Sequence, residues 1–251
     1  MTISRPKGFT FFALLYAVLL SIGPATATEL TAGTGPITPD QYPLDTSGPL
    51  GWYPLDGRSG VTMLGLKSSS YGTLTGQTVS STGGIVMEAI TDPANVFCAN
   101  CVDIIMQIQN DYNSAANITR IELSGVSGYR TAAGYDVNAD SECGPADSAR
   151  CNATFIPDTV DRLTADTIGF NFATGGGITP RGTTYNLVIE TNALTVSDPA
   201  GLSVFASDGS SISGIGNVFV PSGAPAVPLP ATAWLMFSSL GGLATCARKR
   251  R

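Results

Sequence analysis

The chain contains no histidine. That single absence removes Ser-His-Asp and Cys-His nucleophilic catalysis, and every imidazole metal site with them. Basic side chains are nearly as scarce away from the ends. Residues 28–226 carry seven Lys and Arg (Arg58, Lys67, Arg120, Arg130, Arg150, Arg162 and Arg181) against all 19 Asp and Glu, a formal charge of −12. A surface of that sign repels phosphate backbones and attracts cations, so nucleic acid is excluded as a partner. Long apolar runs occur only at the two termini, and helical periodicity is missing between them.

What fills the interior instead is Thr, Ser, Val, Ile and Gly in short alternating runs. In "VDIIMQIQ", Val102, Ile104, Met106 and Ile108 are predicted to share one face while Asp103, Gln107 and Gln109 share the other, the pattern of a half-buried strand. In "TIGFNF", Ile168, Phe170 and Phe172 fall on one face, and "TYNLVIETN" reads as a buried strand through Leu187, Val188 and Ile189. Further strands are expected at 61–66, 73–79, 84–90, 118–124, 202–206 and 212–220, with turns at "STGG", "TGGG" and "SDGSS". Many short strands with regular turn signals predict a mainly β fold, an antiparallel β-sandwich; a jelly roll or barrel would satisfy the same pattern.

The termini carry different information. At the start, Arg5 and Lys7 precede an apolar stretch from Phe9 to Ile22, followed by Gly23, Pro24 and the small-residue triplet Ala25, Thr26 and Ala27. This is the plan of a secretory signal, with cleavage by signal peptidase expected after Ala27. At the other end, residues 231–247 form 17 uncharged positions, about 25 Å of helix against a hydrocarbon thickness of about 30 Å. Trp234 suits the outer interface, and Arg248, Lys249, Arg250 and Arg251 hold the inner end on the cytoplasmic side. A span this short, diluted by Ser238, Ser239, Gly241 and Gly242, suits a segment that presents a cleavage site and is then discarded.

Val227, Pro228, Leu229, Pro230 and Ala231, the short glycine-bearing apolar segment and the basic cluster together resemble the PEP-CTERM sorting signal in its VPLPA variant. The resemblance implies passage through the inner membrane as a precursor, recognition by an exosortase membrane protease, and delivery to the cell surface or the extracellular matrix, where polysaccharide is the expected neighbour. "NVFCANCVDIIMQIQNDYNSAANITRIELSGVSGY" and "DTIGFNFATGGGITPRGTTYNLVIETNA" are similar to the β-rich ectodomain common in proteins with that signal. The similarity implies a scaffold and assigns no catalytic residue. A rival reading is a sortase-type cell-wall signal, since Leu229 to Ala233 spell LPATA, but only "VPSGAPA" stands before it in place of a long stalk.

The expected organisation is therefore a signal at 1–27, an extended lead-in at 28–60, a β-domain at 61–220, a Pro-rich linker and motif at 221–230, a membrane helix at 231–247 and a basic tail at 248–251. The lead-in holds YPLD at 42–45 and again at 53–56, read as paired proline turns.

Four cysteines remain once the tail, with Cys246, is removed. In an exported chain they read as two disulfides, and of three connectivities the local one, Cys98 with Cys101 and Cys143 with Cys151, is expected. The CxxC is followed by a β-type run in place of the helix that a redox motif requires. In "DVNADSECGPAD", Asp136, Asn138, Asp140, Glu142 and Asp147 fall at positions 1, 3, 5, 7 and 12 of a calcium loop, although Ser141 replaces the glycine at position 6. A glycosidase needs only two carboxylates, but no acid pair here has an aromatic-rich context. The expectation is a non-enzymatic exported surface or matrix protein without a cofactor. The alternative is a calcium- or carbohydrate-binding adhesive module, marked by Trp52, Tyr53 and Tyr71 gathered on one face.

Overall fold

The computed structural model describes residues 27–42, 62–71, 83–110, 114–136, 153–198 and 201–223. Among them there are strands and no helix. In chain order the strands are β1 (Glu29–Leu30), β2 (Thr34–Ile37), β3 (Asp40–Gln41), β4 (Thr62–Tyr71), β5 (Gly83–Asp92), β6 (Cys101–Gln109), β7 (Ile118–Ser124), β8 (Thr131–Asp136) and β9 (Ala153–Phe155). There follow β10 (Thr159–Arg162), β11 (Thr167–Asn171), β12 (Thr183–Thr184), β13 (Asn186–Thr191), β14 (Thr195–Ser197), β15 (Leu202–Ala206), β16 (Ser211–Ile215) and β17 (Val220–Ser222). They form a nine-stranded sheet centred on β5, β6 and β13, a six-stranded sheet in the order β16-β15-β7-β11-β10-β2, and the pair β14-β17. Pairing is antiparallel except for β3 with β8 and β9 with β12.

The two large sheets share one core. Ile85, Met87 and Ala89 of β5, Val102, Ile104, Met106 and Ile108 of β6, and Leu187 and Ile189 of β13 join Ile121 and Leu123 of β7, Val160 of β10, Ile168 and Phe170 of β11, and Leu202 and Val204 of β15. Period-two alternation delivers each of these sets to one face. Each large side chain so buried stabilises the fold by roughly 1.5–3 kcal/mol relative to exposure. The predicted strands at 118–124 and 202–206 coincide with β7 and β15. The one expected at 212–220 is instead two, β16 and β17, in different sheets, because the chain turns at Asn217, whose φ is 58°. The segment 73–79 and the apolar C-terminal segment lie outside the described residues, among which no helix is long and apolar enough to cross a membrane.

One expectation is overturned at β6. Alternation puts Asp103 and Gln107 on a solvent face, yet both are buried, and only Gln109 is part-exposed. β6 lies between β5 and β13, and its second face carries a cluster of its own, Tyr42, Val86, Ile90, Ile105 and Val188, with Ala27 packed against it. Alternation reports that a strand has two unlike faces; it does not report whether the polar one is covered.

The cover comes partly from the lead-in. Residues 29–41 cross between the sheets twice: β1 and β3 pair with successive parts of β8, on its edge away from β13, in the larger sheet, and β2 pairs with β10 in the smaller. Arg162 at the end of β10 ties this strap down. Its buried guanidinium donates to the carbonyls of Leu30 (3.1 Å), Tyr129 (2.9 Å), Val126 (3.0 Å) and Ala165 (2.7 Å) and to Thr131 Oγ1 (3.0 Å). Backbone acceptors at a buried charge are what make such burial tolerable. Where β3 passes over β8, Gly134 is required: a Cβ there would stand 2.0 Å from the Asp40 carbonyl oxygen and 2.6 Å from the Tyr42 ring.

Candidate functional site

Most of the residues singled out from the sequence lie outside the described residues: Ala25, the sorting motif Val227–Ala231, the basic tail 248–251, Cys143 and Cys151, Asn138, Asp140, Glu142 and Asp147, and the aromatics Trp52 and Tyr53. Tyr71 is placed on β4, but its side chain is outside them. Of the candidate calcium ligands only Asp136 is placed. It is fully buried at the end of β8, directly opposite Asn186 of β13. Among the described residues no three Asp, Glu, Cys or His side chains are arranged to hold a metal ion.

The CxxC is a structural clasp. Cys98 and Cys101 are disulfide-bonded with Cα atoms 5.4 Å apart, a spacing that suits a disulfide. They close the turn between β5 and β6, in which the amides of Asn95 (3.2 Å) and Asn100 (2.8 Å) bond the Asp92 carbonyl and the Ala94 amide bonds Asp92 Oδ1 (2.7 Å). Asn95 hangs from this turn over the end of β6: its side-chain amide donates to Asp103 Oδ1 (2.6 Å) and to the Thr191 carbonyl (3.1 Å).

That asparagine leads to the most unusual part of the molecule, which sequence reasoning missed. On the second face of the nine-stranded sheet, Glu190 of β13 sits directly opposite Asp103 of β6, with Ile90 of β5 on the far side. Four residues along, beyond Ile105 and Val188, Asn186 and Gln107 occupy the same face, and Tyr42 leans in from the strap. All five residues are at least nine-tenths buried. Gln107 Nε2 and both side-chain polar atoms of Asn186 are buried without a hydrogen-bond partner, while the Tyr42 hydroxyl interacts with Glu190, and Asp103 with Asp92, without well-formed hydrogen bonds. Native interiors hold few such atoms, so this is a polar face under an unusual desolvation load.

The electrostatics follow from burial. Desolvation raises Asp103 well above the ordinary carboxylate range, and the charges of Glu190 and Asp92 raise it further, against the Asn95 bond. Glu190 is pushed up to about 7, chiefly by burial and then by Asp92, with the Val96 amide working in the opposite direction. The Tyr42 hydroxyl is raised by burial and by Glu190, Asp40 and Asp103. None of the ion pairs found among the described residues involves Asp103 or Glu190. Two carboxyl groups this close in a dry setting hold a proton or seek a cation. The sequence signal was present, since Asp103 and Glu190 each interrupt an apolar strand, but their meeting depends on β6 and β13 being neighbours in this register.

The opposite outer surface, on the six-stranded sheet, is satisfied by contrast. Arg120 of β7 forms two bonds to Asp161 (2.6 and 2.8 Å), one to Glu122 (2.7 Å) and one to Asn171. Burial alone would raise Asp161, but the Arg120 and Asn171 bonds outweigh it and hold the carboxyl below its usual range. Arg120 lies across Gly169, which accounts for the glycine in "GFNF": a Cβ there would meet the guanidinium at 2.1 Å.

Comparisons with protein-family models, with curated proteins and with solved structures find no match to this chain.

Proposed function

We propose that this chain is an exported, non-enzymatic surface or extracellular-matrix protein: a β-sandwich body delivered by a cleaved N-terminal signal and processed by an exosortase at Val227–Ala231. The observation that carries the reading is the ordered set of a proline motif, a 17-residue uncharged segment and four terminal basic residues. Three features of the body support it. Its first strand starts at Glu29, two residues after the expected signal cut, and its last ends at Ser222, before the motif, so both cuts spare every strand. A disulfide clasps the turn before β6, as an oxidising compartment permits. Two large sheets contribute to one hydrophobic core, the arrangement from which a sandwich is inferred.

The parts of the tail have separable duties in this reading. The prolines set the cut, the apolar segment presents it at the membrane, and the basic cluster keeps the inner end from crossing. Replacing Pro228 and Pro230 should leave a full-length, membrane-held precursor in the native host. Replacing Arg248, Lys249, Arg250 and Arg251 with neutral residues should let the chain slip outward uncleaved. Recovery of peptides through Arg251 from most mature molecules would reject processing and leave a membrane-anchored β-domain.

A further inference from the structure

The buried acids on the second face of the larger sheet carry an unusual desolvation load, and the chain passes beside them at the point where the export signal is expected to be cut. Thr28 N lies 2.6 Å from Asp40 Oδ2, across the strap from β1 to β3. Ala27 packs against the cluster of Tyr42, Val86, Ile90, Ile105 and Val188 that shares this face with Asp103 and Glu190. Asp40 is close enough for its charge to act on both Tyr42 and Glu190. In the precursor, the group at Thr28 is an uncharged amide.

We propose that cleavage after Ala27 turns Thr28 into the counter-cation of this acidic face, its new α-ammonium pairing with Asp40 and closing the strap onto the sheet. The chemistry is hydrolysis of the Ala27–Thr28 peptide bond. Water supplies the hydroxyl that completes the Ala27 carboxyl and the hydrogen that completes the Thr28 amine, and the amine takes up a further proton at neutral pH because its ordinary pKa is about 7.7–8.0. The amide-to-carboxylate hydrogen bond becomes an ammonium-to-carboxylate one, charged on both sides, which is stronger. The positive charge lands beside the Asp40 carboxyl, which takes part in none of the ion pairs found among the described residues and itself acts on Glu190. The signal is then more than an address: its removal completes an electrostatic contact of the mature body. The cut itself rests on the export reading, whereas the pairing is a property of any chain that begins at Thr28.

The test uses two forms of residues 28–226, one beginning at Thr28 after removal of the initiator methionine and one extended by Ala25, Thr26 and Ala27. NMR titration should give the Thr28 α-amine a pKa above the ordinary range, and the Thr28 form should melt about 1–3 °C higher near pH 6.5, a gain of the size expected for an exposed pair. The gain should vanish above the amine pKa, in Asp40→Asn, and when the Thr28 amine is chemically acetylated; acetylation also serves if Asp40→Asn fails to fold. An α-amine titrating in the ordinary range, with equal melting of the two forms, overturns the inference. N-terminal sequencing of protein exported by the native host separates the two ideas. A terminus elsewhere removes the cut after Ala27 while leaving the measured pairing intact, and a terminus at Thr28 without the pKa shift removes the pairing alone.

Discussion

At the scale of single residues, burial holds the Glu190 carboxyl well above the range its type prefers. Its pKa stands at about 7 in the fold against 4.5 when free. A carboxyl raised on folding is neutral in the native state while the unfolded chain already ionises, so the native state binds the extra proton. Its contribution is fully present below pH 4.5 and is lost progressively as the pH rises to about 7. Stability of the purified body should therefore fall across that window, by on the order of 3 kcal/mol if Glu190 acts alone. Denaturant melts from pH 4 to 8 measure it, and Glu190→Gln should flatten the slope. A flat profile in the unaltered protein would mean that the carboxyl is solvated after all. Asp103, raised in the same direction by burial, shares the effect, so Asp103→Asn should reduce the slope as well.

At the scale of elements, the strap and β8 meet through one missing side chain. Gly134→Ala would drive a Cβ into the Asp40 carbonyl at 2.0 Å, a backbone atom that cannot rotate away, so β3 must lift off β8. The expected loss is about 2–4 kcal/mol, the range for overpacking compounded by broken pairing. Hydrogen exchange should speed up at Tyr42, whose amide bonds the Tyr135 carbonyl at 2.9 Å, before it does in β6. Gly84→Ala is the control: no atom lies within 4 Å of its Cβ, so the melting temperature should stay close to that of the parent. Equal effects at the two glycines would show that the strap is not seated as described. The same elements correct the reading of β6, since it is the strap and the neighbouring strands that bury the polar face its alternation left for solvent.

At the scale of the whole molecule, the described strands end before Val227, where the proposed sorting motif begins. Its last strand, β17, pairs with β14 and ends at Ser222, while Val218, Phe219 and Val220 are buried in the shared core. Phe219 packs against the site of Gly65 and lies 4.5 Å from the Lys67 ammonium, joining β4 to this last segment. A protein of residues 28–223 keeps every described strand and should thus melt within about 1 °C of one ending at 226. Ending the chain at 215 instead deletes three buried apolar side chains and leaves β14 without its partner. That form should lose several kcal/mol or fail to fold, as seen by loss of a cooperative calorimetric transition. Full stability of the shorter form would place the end of the body upstream of β17.

Local pattern was legible before any fold was known. The CxxC clasp and the two-residue rhythm of β6, β11 and β13 follow from neighbours in the chain, because strand faces and short-range pairings are set by spacings of a few residues. Glycines 134 and 169 and the carboxyl pair were not legible in that way. Gly134 answers to Asp40, Gly169 to Arg120, and Glu190 to Asp103, partners that sit 94, 49 and 87 positions away. Which strands lie side by side is decided by the burial of apolar faces across the whole chain. Only when β6 had β13 on one side and β5 on the other, with Tyr42 of the strap packed against them, did an ordinary-looking polar face become a desolvated one with its acids raised.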